Sequence, residues 1–145
     1  MKRSELNQII EDGIEFLEAC NFHLPPFAFW SPEKWAQKGP RCDQIRTRAL
    51  GWDVTDFGKG QFEKLGLLLF TLRNGEPKDP YKTKPYCEKI MILREGQRCP
   101  THFHWQKVED IINRAGGRLV IRLLDSDQNE QPRMSEPVKV SVDAV

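Results

Sequence analysis

The chain has little to spend on metal or redox chemistry. Its 145 residues hold three histidines and four cysteines. The cysteines, at 20, 42, 87 and 99, form no C-x-x-C pair and no dense framework. That pattern excludes a disulfide-stapled scaffold and a cysteine-rich zinc module, and it fits a reducing cytosol. Neither sign of charge dominates: 22 basic residues stand against 21 acidic ones. A basic footprint for nucleic acid or an acidic membrane surface is therefore missing. No apolar run approaches the roughly 18 residues of a membrane span, and the N-terminus has no apolar signal-type core. These absences predict a cytoplasmic protein without nucleic-acid or membrane partners. The hydrophobic share of 39% excludes glycine, and the ten glycines bring it near the usual globular composition. A chain of this length makes one structural domain with a core of its own.

Two of the three histidines fall within one short stretch. From Gly96 to Gly116 the chain reads G-x5-H-x-H-x4-E-x6-G through His102, His104 and Glu109. On a strand, side chains two residues apart share a face, so the two imidazoles meet on one side. A carboxylate five residues later can return on a following strand and face the same point. Two imidazoles and one carboxylate with open positions form a ligand set for a catalytic divalent ion. The glycines suit tight turns at strand ends, where positive φ is needed. Cys99 is out of phase with both histidines by alternation and reads as structural. Trp105 alternates to the opposite face and reads as core packing. His23 stands apart, beside an aromatic stretch, and is a poor fourth ligand.

Around this stretch the pattern divides in two. Leu6, Ile9, Ile10, Ile14 and Leu17 recur at helical spacing after Ser4, a plausible N-cap. Asn21 and Pro25-Pro26 end that helix. The Pro-, Phe- and Trp-rich segment Leu24 to Trp35 predicts a packed extended arm, with a short helix near Arg41 to Ala49. Residues 1–62 are thus expected to form a helix and an arm that pack on a barrel built from 63–145. Strands are predicted at Gly66–Arg73, Lys89–Arg94, Cys99–Trp105, Glu109–Asn113, Arg118–Leu124 and Val138–Val142, with a loop over Asp125–Pro137. Short strands with turn punctuation predict a mainly β sandwich or barrel.

The G-x5-H-x-H-x4-E-x6-G frame resembles the first signature motif of the cupin superfamily. Further blocks are more specific: Leu24-Pro-Pro-Phe-Ala-Phe-Trp30, Leu50 to Gly58, Leu69-Phe-Thr-Leu-Arg-Asn-Gly75, Glu88-Lys-Ile-Met91, Thr101 to Trp105, and Glu109-Asp-Ile-Ile-Asn-Arg114. In order and over nearly the whole chain, these resemble the D-lyxose ketol-isomerase family of cupins. The resemblance implies a cupin-type jelly roll and a usually dimeric, manganese-dependent enzyme. It implies a pentose or hexose substrate, with D-lyxose and D-xylulose interconverted, and commonly D-mannose and D-fructose. His102, His104 and Glu109 are the expected ligands of Mn²⁺, although Fe²⁺, Co²⁺ and Zn²⁺ also suit the set. The matching lysine, Lys89, is expected in the active site, where an ammonium stabilises enediolate charge. A surface lysine at a strand start is the competing reading.

The chain also departs from the family pattern. A second motif should supply a fourth ligand, a histidine, and the catalytic base, yet no histidine follows His104. The expectation is an incomplete jelly roll, truncated after the first motif, with open strand edges and an exposed core face. Two alternatives to a working isomerase follow: a metal-binding cupin remnant without catalysis, and a non-haem iron oxygenase built on the His-His-Glu triad.

Overall fold

The computed structural model describes residues 1–75, 85–105, 107–134 and 137–142. It divides into two compact units, Met1–Lys107 and Val108–Val145.

The first unit opens with helix α1, Arg3–Ala19. Its cap is Lys2 and not the expected Ser4, which lies inside the first turn. The Glu5 carboxylate accepts the Lys2 backbone N–H at 2.6 Å, so an acidic residue in the first turn satisfies the entry. At the other end Asn21 takes φ 57°. The Phe22 N–H then reaches the Leu17 carbonyl at 2.8 Å, and the Asn21 N–H reaches that of Glu18 at 2.9 Å. This double closure at a left-handed asparagine is a Schellman stop, and it ends the helix where the sequence places the break.

The aromatic segment is less extended than its prolines suggest. It contains a 3-10 turn, Pro26–Phe29, and a short helix α2, Pro32–Ala36. Both begin on proline, whose fixed φ suits a first helical position, and the Ser31 hydroxyl accepts the Lys34 N–H at 3.3 Å. Helix α3, Asp43–Thr47, follows within the expected stretch. The segment packs through its rings: Phe27 stacks on Phe70 at 5.3 Å and Trp30 meets Trp35 edge-on at 4.9 Å. The Trp52 indole N–H donates to the Ala28 carbonyl at 3.0 Å.

Three antiparallel strands form the sheet: β1 Gly51–Thr55, β2 Leu67–Asn74 and β3 Cys87–Ile92, in the order β1-β2-β3. Strand β2 is central and its first five residues are buried, with Phe70 fully enclosed. A continuous apolar run is what a strand covered on both faces requires. Strand β1 is not among the strands expected from the sequence, because Trp-Asp-Val-Thr is too short to show alternation. One face gathers Trp52, Val54, Leu68 and Ile92, and there Ile9 and Ile10 of α1 complete the core with Phe62. Gly13 lets the helix approach closely: a Cβ there would collide with Leu68 and lie 3.4 Å from Ile92.

The mainly β expectation holds for the element that organises the core, an antiparallel sheet with short helices around it. Several predicted strands do not form. Residues 99–105 have no strand pairing; the nearest ladder contact is the isolated parallel bridge Leu65–Arg98. In the second unit, 109–113, 118–124 and 138–142 are likewise irregular. A strand exists through its partner's hydrogen bonds, and alternation in the sequence supplies only the side-chain half of that requirement. Val120 and Val140 accordingly remain exposed. The expected loop 125–137 instead contains a small hairpin, β4 Asp125–Ser126 with β5 Pro132–Arg133; residues 135–136 lie outside the described residues. Asp127 closes its turn, accepting the Asn129 N–H at 2.8 Å and the Gln131 N–H at 2.9 Å. These bonds hold the Asp127 carboxyl below the ordinary carboxylate value.

Candidate metal and substrate site

The approach to the histidines is anchored to the core of the first unit by one side chain and one bridge. Gln97 is buried; its amide N–H donates to the Phe62 carbonyl at 2.6 Å, and its carbonyl accepts the Arg94 N–H at 2.9 Å. The Arg98 N–H then reaches the Lys64 carbonyl at 2.9 Å, and the Gly66 N–H returns to the Arg98 carbonyl at 3.2 Å. Gly66 leaves no room for a side chain here. A Cβ would collide with the Phe62 carbonyl oxygen and sit 2.6 Å from the Gln97 amide nitrogen. The Gly96 φ of 72° makes the turn that feeds this anchor.

Beyond the anchor the chain keeps the alternation of an extended segment although it joins no strand ladder. The His102 and His104 rings are neighbours, with centroids 4.9 Å apart and planes at 81°. Phe103 and Trp105 form the complementary pair at 5.0 Å and 73°. The i, i+2 rule therefore brings the two imidazoles together, as expected. Trp105 is 73% exposed, so the expected core packing is not what it does. Cys99 is exposed as well, and none of the four cysteines forms a disulfide. The His102 Nδ1 lies 2.8 Å from the Pro100 carbonyl oxygen.

Glu109 belongs to the second unit, where its side chain is exposed. Among the described residues no group of three or more His, Cys, Asp or Glu side chains is gathered as a metal cage. The geometry thus supplies the two-imidazole part of the expected ligand set. By donor chemistry the set still suits a divalent ion: two imidazoles on one side, with a carboxylate close in sequence. His23 is elsewhere, lining a cleft of about 140 Å³ with Ile14, Glu18, Phe22, Leu24 and Phe29.

Lys89 lies on β3 as the register partner of Thr71, and its side chain is exposed. Cross-strand partners share a face. Lys89 and Thr71 therefore stand on the sheet face away from α1, as does Asp53, the partner of Leu69. Thr71 is buried and polar on that face, whereas Asp53 is exposed. Sequence reasoning missed Thr71 as the cross-strand partner of Lys89 and Asp53 as a residue of the same sheet face, since only the registers of β1 and β3 on β2 reveal these relations. The Asn113 amide N–H donates to the Gly117 carbonyl at 3.0 Å.

The family model for D-lyxose isomerase matches residues 1–145. The chain belongs to the D-lyxose isomerase family. It is 47% identical over 137 residues to the D-lyxose/D-mannose isomerase of Escherichia coli O157:H7, covering 94% of this chain and 60% of that protein. To the enzyme of the same description from Serratia proteamaculans it is 47% identical over 131 residues, covering 90% and 58%. A more distant relative of that description, from Thermosediminibacter oceani, is 31% identical over 104 residues. The chain thus spans about three fifths of the length of the first two relatives.

Proposed function

We propose that this chain carries part of the active site of a metal-dependent aldose–ketose isomerase. The reaction interconverts D-lyxose and D-xylulose, and D-mannose and D-fructose, by moving a proton between C1 and C2 through a cis-enediol. The observation that carries the reading is the adjacency of the His102 and His104 rings, in a chain whose relatives are described as D-lyxose/D-mannose isomerases. His102, His104 and Glu109 would hold the ion, with Mn²⁺ preferred and Fe²⁺, Co²⁺ or Zn²⁺ as substitutes. When bound, such an ion polarises the substrate carbonyl and neutralises charge on its oxygens.

The chain's own residues have separate tasks. Lys89 presents a compact, strongly donating ammonium on the sheet face it shares with Thr71, which suits it to an oxygen that gains charge in the enediolate. Glu109, as a ligand, is a weak base, so the C2 proton goes to another group. The family's usual pairing of subunits and the completed cupin barrel belong to this same reading.

The test is direct. The protein loaded with Mn²⁺ is incubated with D-lyxose, and D-xylulose is measured against a His102→Ala control. Turnover that disappears in the control supports the reading; equal rates in both refute it. A second reading is an ion-binding cupin remnant without catalysis. Metal analysis after dialysis separates the two: a stoichiometric ion without turnover selects the remnant.

A further inference from the structure

We propose that the Pro100 backbone carbonyl is a positioning group for His102, holding the neutral ring as its Nδ1–H tautomer so that Nε2 is the nitrogen offered to the metal. The inference rests on the functional reading above and goes beyond it in assigning the ligating atom and the group that selects it.

A neutral imidazole has one N–H and one lone pair, and the partner of one nitrogen decides which is which. A carbonyl oxygen only accepts, so at 2.8 Å the His102 Nδ1 must donate. The lone pair then resides on Nε2. Metal-binding imidazoles commonly use their second nitrogen in this way, and the contact fixes both tautomer and ring orientation.

The carbonyl is itself held in place. Pro100 is half-buried and lies two residues beyond Arg98, whose backbone is tied on both sides to Lys64 and Gly66. One residue earlier the Gln97 side chain is bonded at both ends inside the core. The proline ring fixes its own φ near −65°, which limits how far the carbonyl can turn. A chain of short links thus runs from the Phe62–Gly66 segment to the His102 ring. This explains how a segment without strand pairing keeps two imidazoles in register. The sequence reading attributed that register to a strand; in the structure a rigid anchor and one side-chain hydrogen bond do the work.

The test uses ¹⁵N-labelled protein, free of metal, at a pH where the imidazoles are neutral. Long-range ¹H–¹⁵N correlation reports which ring nitrogen carries hydrogen. The expected result is His102 as the Nδ1–H tautomer, with a tautomer ratio at least about five-fold above that of exposed His23, the preference one neutral hydrogen bond confers. An Nε2–H tautomer, or a ratio equal to that of His23, overturns the proposal. Pro100→Gly leaves a carbonyl but frees its direction, and the His102 ratio should fall toward that of His23 while amide shifts of β1, β2 and β3 stay unchanged. An undiminished ratio in this folded variant overturns the role of Pro100.

Titration with Zn²⁺ alone then reads the ligating atom: Nε2 of His102 should shift and Nδ1 should keep its hydrogen, whereas loss of that hydrogen overturns the assignment. A preserved tautomer with no shift at either histidine leaves the Pro100 contact standing and defeats the metal-site reading. The two failures are thereby distinguishable.

Discussion

Gly66→Ala is expected to be the most destabilising conservative change in the first unit, and its cost can be worked from the neighbours. An added Cβ would collide with the Phe62 carbonyl oxygen and lie 2.6 Å from the Gln97 amide nitrogen and 2.7 Å from the Phe62 ring. The first of these is backbone, which cannot rotate aside. Overpacking of this kind costs roughly 1–3 kcal/mol. Displacing Gln97 also breaks its buried bond to the Phe62 carbonyl, adding about 1–3 kcal/mol if a partner stays buried and unpaired. Against this, alanine narrows the unfolded ensemble by about 0.4–1 kcal/mol. The net loss is about 2–4 kcal/mol. For a unit spanning Met1–Lys107, where 1 kcal/mol moves the midpoint by about 4 °C, the melting temperature should drop by about 8–16 °C.

Gly13→Ala is the internal control for this reasoning. Its Cβ would meet Leu68 and Ile92 at the ends of their side chains, which are movable atoms, and alanine improves the helix by about 1 kcal/mol. The two effects nearly offset, so its melting temperature should fall by much less than that of Gly66→Ala. Thermal unfolding followed by circular dichroism decides the comparison. A Gly66→Ala midpoint equal to or above that of Gly13→Ala would refute the claim that rigid backbone, and not crowding alone, sets the cost.

Further predictions concern the anchor and the surface. Gln97→Leu removes both bonds to Phe62 and Arg94 and should cost about 1–3 kcal/mol in urea unfolding, with the m-value unchanged. The Arg94 guanidinium reaches Asp12 and Glu63 at 2.7 Å each and lies over the Phe62 ring at 5.5 Å. Its partial exposure keeps the expected loss in Arg94→Met to about 1 kcal/mol, and the loss should shrink as salt is raised. The Asp127 carboxyl is lowered in the folded state, so its contribution is present above the ordinary carboxylate value and disappears as pH falls through the lowered one. Amide protection at Asn129 and Gln131, taken relative to the intrinsic exchange rate at each pH, should therefore fall in acid, and Asp127→Ala should abolish that change in protection.

Local chemistry was readable from the residues wherever it depends on near neighbours. The stop of α1 at Asn21, the short helix near residue 43 and the apolar run of β2 all follow from contacts within a few positions. So does the meeting of His102 and His104, since it needs only an extended backbone. Spacing and family-specific blocks were enough to indicate a D-lyxose isomerase lineage, which the family match supports. What could not be read was pairing. Strand β1 exists because β2 lies beside it, and Glu109–Asn113 and Arg118–Leu124 have the composition of strands without a ladder. Hydrogen bonds to a distant segment carry no local signature, so tertiary structure alone decides which alternating stretches become strands. It also decided what steadies the histidine pair. The sequence determined that two imidazoles meet, while Gly66, Gln97 and the Pro100 carbonyl, brought together by contacts across the fold, determine how the His102 ring is held.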